Sequence, residues 1–146
     1  MKYIIIFLLS ILILGCSTNP TPLSSAIKAP SDRVLSYMSD DGVADASVVI
    51  IRDKGFYGSG CYYAVYINNS LAARLDVSEY ATFFIEPGEV TFKAGRDPYG
   101  RSLCGKFQEF QTETKTVLKS KDKKKFRLKV NSNGKPEIIY LPQANE

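Results

Sequence analysis

The chain has 146 residues, a net charge of +4 from 19 basic and 15 acidic side chains, and neither His nor Trp. That length holds one small domain besides any leader, and an ordinary apolar share can fill its core. The absence of His excludes a Ser-His-Asp triad, a Cys-His pair and a His-ligated zinc site. Nothing in the composition calls for a metal or cofactor. Frequent Tyr, Phe and β-branched residues favour strands.

Lys2 precedes an almost unbroken apolar run over residues 3–14, closed by Gly15 and Cys16, which is the layout of an export signal. A spanning helix needs about 20 apolar residues, whereas polar Ser17, Thr18, Asn19 and Pro20 follow this shorter run at once. A plain secretory signal ends in small residues, yet bulky Ile13 stands three positions before Cys16. The tetrapeptide Ile13-Leu14-Gly15-Cys16 resembles the lipobox of bacterial lipoproteins. The resemblance implies a leader at 1–15 that is cleaved, and palmitate-type acylation of Cys16. It further implies anchorage in the cell envelope, with Ser17 favouring the outer membrane facing the periplasm. The bilayer is then the first partner, and several acyl chains hold where one would not. The Ser-, Thr- and Pro-rich stretch 16–31 reads as a flexible spacer, and 32–146 as a single domain.

Residues 32–38 allow either a helical turn or a first strand, and Asp40, Asp41, Gly42 and Asp45 make a loop. Strands follow. ASVVIIR, at 46–52, is apolar enough for a central strand. A glycine-rich loop at 53–60 leads to CYYAVYI at 61–67. Asn68 and Asn69 suit a tight turn, with the return strand at 70–76. YATFFI at 80–85 runs into Pro87-Gly88, a type II turn signal, expected to close a hairpin with 90–94. A polar loop at 95–105 comes next. Residues 106–118, with Thr112, Thr114 and Thr116 alternating, fit an edge strand. Phe126, Leu128 and Val130 alternate with Arg127 and Lys129 in the cleanest half-buried strand. Asn133-Gly134 signals a hairpin, and Pro136 opens a last strand suited to an edge. About seven or eight strands with close turns predict an all-β fold, an antiparallel sandwich or small barrel.

The stretch 62–94, with Asn68-Asn69 after a strand, the return strand around Leu71–Leu75 and the Pro87-Gly88 turn, resembles PEGA-like and related small all-β domains of bacterial lipoproteins. That resemblance implies a fold and no activity.

Cys61 and Cys104 remain once Cys16 is acylated. In an oxidising periplasm an even pair reads as a disulfide, worth about 4 kcal/mol in the chain-entropy account. They lack the Cys-x-x-Cys spacing of redox pairs, and two thiolates without His are too few for a metal. The bond would pin the 55–60 loop, with Phe56 and Tyr57, beside the 96–101 loop, with Arg96, Tyr99 and Arg101. Aromatics and Arg on two loops of a rigid sandwich have the composition of a protein-recognition surface. The glycine-rich loop has neither Walker spacing nor a nucleophile elbow, so a plain turn is its other reading.

From 115 to 135 stand nine Lys or Arg and one acid. Lys119, Lys121, Lys123, Lys124, Lys125, Arg127 and Lys129 form a basic hairpin that could meet anionic glycan, lipid or an acidic partner. Its bland reading is a charged face that keeps an edge soluble. Nucleic acid does not suit a tethered envelope protein. The expectation is a non-catalytic protein-binding or structural module of the envelope, of the kind found in secretion or surface assembly. Binding of glycan or lipid by the basic hairpin is the alternative. A cell-wall hydrolase is the minor one, and it needs converging carboxylates that the sequence does not place.

Overall fold

The structure is a computed structural model that describes residues 18–56, 58–105, 112–131 and 133–142. Among them run nine strands: β1 (Ile27–Lys28), β2 (Ala46–Arg52), β3 (Tyr63–Ile67), β4 (Ser70–Leu75), β5 (Glu79–Ile85), β6 (Gly88–Arg96), β7 (Thr112–Leu118), β8 (Lys123–Val130) and β9 (Pro136–Leu141). They form a five-stranded sheet ordered β1-β5-β2-β8-β9 and a four-stranded sheet ordered β4-β3-β6-β7. The two sheets pack face to face as a β-sandwich, with no closed barrel among the described residues.

Period-2 alternation explains the core. In β2 the side chains of Ala46, Val48 and Ile50 are fully buried between the sheets. Phe126, Leu128 and Val130 of β8 do the same. The Phe126 ring lies 4.9 Å from Phe92 of the opposite sheet. Burying a Phe or Leu side chain contributes roughly 1.5–3 kcal/mol, so this seam is what holds the sheets together. The alternating threonines of β7 serve a second purpose. Thr114 Oγ1 donates to the Ile138 carbonyl at 2.7 Å and Thr112 Oγ1 to that of Pro136, stitching one edge strand to the other across the sandwich.

The topology departs from the sequence expectation in three ways. Pairing is not wholly antiparallel: β1 lies parallel to β5 and β2 parallel to β8. β2 carries apolar residues on both faces, the composition of a strand covered on both sides, where parallel pairing is at home. Second, Pro87-Gly88 does not close a hairpin. Both edges of β5 are taken, by β1 and β2, so β6 crosses into the other sheet. Third, the basic segment is not a hairpin either. β7 belongs to the four-stranded sheet, and β8 is flanked by β2 and β9, so 119–122 is another sheet crossing. The β3–β4 and β8–β9 hairpins are present, and Asn68 and Asn69 adopt φ of +48° and +68°.

Residues 18–31 are not a free spacer. The Thr18 N–H and hydroxyl reach the Val130 carbonyl at 3.4 Å, and Asn19 exchanges backbone bonds with Lys54 at 2.7 and 3.1 Å. Ile27 and Lys28 add β1 alongside Glu79 and Tyr80. The prolines hold this segment extended, ready for edge pairing, a property that its Ser/Thr/Pro composition masked. Residues 31–33 form a single 3-10 turn rather than a strand. The leader and Cys16 lie outside the described residues.

Strand direction sorts the connections into two ends. Arg52, Tyr63, Leu75, Glu79, Arg96, Val130 and Pro136 all fall at the same end by register. Loops 53–62, 76–78, 97–105 and 131–135 therefore cluster there, with Thr18 among them. The turns at 68–69, 86–87 and 119–122 occupy the distal end.

Candidate functional site

At the loop end the chain builds a cleft of about 360 Å³ between segments 59–62 and 97–104, over Arg74 and Asp76. Its walls are tied by the Cys61–Cys104 disulfide, with Cα atoms 5.5 Å apart. The bond forms because β3 begins where the 3-10 turn Ser102–Cys104 passes.

The floor is a ladder of alternating cations and rings. Tyr62 and Arg74 face outward from the four-stranded sheet, since Tyr63, Ala73 and Leu75 face the core. The Arg33 guanidinium lies 4.5 Å from the Tyr62 ring centre, and that of Arg74 lies 5.3 Å from it. Arg74 in turn lies 5.1 Å from the Tyr99 ring, so a stack of Arg33, Tyr62, Arg74 and Tyr99 rises from the sheet to the cleft rim. Each such contact is worth about 0.5–1 kcal/mol where exposed and more where desolvated.

Both cations are neutralised by forked pairs. Arg33 grips Glu79 with two bonds of 2.6 Å, and Arg74 grips Asp97 at 2.8 and 2.6 Å. Hydrogen bonding to these carboxylates raises the pKa of each guanidinium above its ordinary value. Asp97 also accepts the Tyr99 N–H at 3.0 Å, which fixes that loop. Gly100 is required there, because a Cβ would stand 2.8 Å from the Cys104 carbonyl oxygen.

Beneath the other wall lies Arg52, 2 % exposed. It follows Ile50 on the core face, and its fork ends on three carbonyl oxygens at 2.7 Å, those of Gly58, Cys61 and Leu75. Burial pushes its pKa down to about 10. The guanidinium thus clamps the 58–61 segment to β4. Gly58 has φ +69°, and a Cβ there would lie 2.7 Å from the Tyr63 hydroxyl.

Of the residues that the sequence marked, Tyr99 and Arg101 line the cleft and are exposed. Cys61 and Cys104 are bonded. Arg96 ends β6, half-buried. Phe56 is exposed on the neighbouring loop but does not line the cleft, and Tyr57 lies outside the described residues. The structure adds Arg33, Arg52, Tyr62, Arg74 and Asp97. Arg52 had a readable signal, since the alternation of ASVVIIR puts it in phase with the core. The pairing of Arg33 with Glu79, 46 residues apart, had none.

The basic residues do not make one surface. Lys124 pairs with Asp122 at 3.2 Å and Lys129 with Glu137 at 3.1 Å. Arg127 is forked onto buried Asp53. Lys119, Lys121, Lys123 and Lys125 remain exposed, at or near the distal end. The buried carboxylates Asp53, Glu79 and Asp97 are each engaged by an arginine. Among the described residues no His, Cys, Asp or Glu cluster has a metal-binding arrangement.

Comparison with protein-family models, curated proteins and solved structures finds no match to this chain.

Proposed function

We propose that this is a lipid-anchored envelope protein whose sandwich is a non-catalytic recognition module, and that the cleft beside Tyr99 and Arg101 receives a protein partner. The observation that carries this reading is the division of labour in the cleft. Its base is cross-braced, with Arg74 forked onto Asp97 and a disulfide across its walls, while an aromatic ring and an arginine stand exposed at its rim. Tyr and Arg on a preorganised support are the residues that dominate binding energy in protein interfaces. The lipobox-like Ile13-Leu14-Gly15-Cys16 and the PEGA-like pattern of 62–94 agree with an envelope setting in which such a module works tethered.

The test is photocrosslinking in intact cells from a benzoylphenylalanine placed at position 99. A discrete adduct with one envelope protein is expected, weakened by Arg101→Ala. Adducts absent from position 99 but present from a probe at Lys121 would overturn the reading.

A second reading rests on the exposed lysines Lys119, Lys121, Lys123 and Lys125. On an anchored protein this end points away from Thr18, toward anionic glycan. Such a contact weakens steeply with salt, whereas an aromatic-anchored one does not.

A further inference from the structure

The N-terminal segment and the exposed apolar side chains meet at the same end of the sandwich. Thr18 is bonded to Val130 and Asn19 to Lys54. Thr18 also lies against Gly55, where a Cβ would meet its Cγ2 at 3.0 Å. Cys16 is two residues upstream. Successive Cα atoms are about 3.8 Å apart, so the Cys16 Cα lies within about 8 Å of the Thr18 Cα. An acylated Cys16 therefore brings this end of the domain to the depth of the lipid headgroups, with no slack to hold it away.

The large hydrophobic side chains most exposed among the described residues are Phe56 at 94 %, Leu103 at 71 %, Ile27 at 65 % and Tyr99 at 64 %. All four lie at the loop end, whereas Val43 at 62 % and Val117 at 60 % stand toward the distal end. Phe56 follows Gly55, Leu103 adjoins the disulfide, and Ile27 pairs with Glu79 at the start of β5. Single exposed apolar residues need no explanation, but Phe56 and Leu103 are the two most exposed of all and stand at the end of the sandwich that the N-terminal segment reaches. Lys54 is exposed among them, as suits a surface that meets lipid phosphates.

We infer that the loop end of the sandwich rests on the phospholipid surface of the membrane that holds Cys16, with Phe56 and Leu103 inserted among the headgroups and Lys54 at phosphate level. This rests on the acylation of Cys16 proposed above and deepens it, turning a tether into a fixed orientation. The cleft, on the flank of the four-stranded sheet, then opens along the bilayer, and its partner is a protein at the membrane surface. The distal lysines face away.

The absence of Trp makes the test clean. Phe56→Trp, Leu103→Trp and, at the distal end, Val43→Trp each place a single reporter at an exposed site. Full-length mature protein purified from membranes is reconstituted into phosphatidylethanolamine–phosphatidylglycerol vesicles, with and without lipids brominated near the headgroup. The acyl state of the N-terminal peptide is determined by mass spectrometry on the same preparation. Acylated protein is expected to show blue-shifted, strongly quenched emission from positions 56 and 103 and unquenched emission from 43. Acylated protein with all three reporters unquenched, or all quenched alike, overturns the orientation and leaves the anchor standing. A mature protein without acyl chains overturns both.

Discussion

Breaking the Cys61–Cys104 bond is the perturbation whose size follows most directly from the structure. The cysteines are 43 residues apart, and the bond closes a loop holding β3 to β6. In the chain-entropy account, removing a cross-link of that span frees about 13 cal/mol/K in the unfolded chain, or about 4 kcal/mol near room temperature. The folded state loses less. Arg52 still clamps Gly58, Cys61 and Leu75, and Arg74 still holds Asp97, so the sandwich should survive without the bond. The assay is urea denaturation of a soluble form lacking the leader, Cys61→Ala/Cys104→Ala against the parent, followed by circular dichroism. The double variant should keep its strand spectrum and lose about 3–4 kcal/mol, a large part of the 5–15 kcal/mol typical of a domain. A loss under about 1 kcal/mol would refute the view that the bond acts on the unfolded chain, because the measured effect of native disulfides is typically about 2–4 kcal/mol.

Other expectations follow from the cleft and the distal turn. Arg74→Met leaves Asp97 buried without its fork and should cost roughly 2–3 kcal/mol, with faster hydrogen exchange at Tyr99 and Gly100; unchanged exchange there would contradict the ladder. Gly58→Ala meets both a left-handed φ and the Tyr63 hydroxyl, so a loss of about 1–3 kcal/mol in thermal melts is expected. The Lys119 N–H bonded to the Asp122 carboxylate holds its pKa below the ordinary 3.8. Its stabilisation of the β7–β8 turn is present above that value and fades as pH falls through the lower folded one. NMR titration of Asp122 should show the depressed midpoint, and an ordinary midpoint would deny the contact.

Local structure was legible in the sequence because it depends on local chemistry. ASVVIIR became β2 over the same residues, and the alternation of Phe126, Leu128 and Val130 became the inner face of β8. Asn68, Asn69 and Gly134 turned the chain at positive φ, which such residues tolerate. The disulfide was expected from an even pair of cysteines outside the lipobox-like segment, and the two are bonded. The two Asn-marked hairpins were legible, but which sheet the other strands join was not. A Pro-Gly turn looks alike whether the next strand joins the same sheet or crosses, and occupancy of β5 by β1 and β2 decides that. The docking of residues 18–29 was hidden for the same reason, since extended Ser/Thr/Pro chain has no periodicity whether it is free or paired. In the cleft, the exposed rim of Tyr99 and Arg101 was visible as composition. The ladder beneath it joins Arg33, Tyr62, Arg74 and Asp97 across long separations, and no spacing announces it.

The central claim is that this domain works anchored through Cys16, and the mass of the mature N-terminus tests it most directly. Protein isolated from membranes and digested should yield an N-terminal peptide that begins at Cys16 and carries acyl chains, lost when Cys16 is changed to Ala. A mature chain that begins elsewhere, or at Cys16 with a free thiol, would contradict the account.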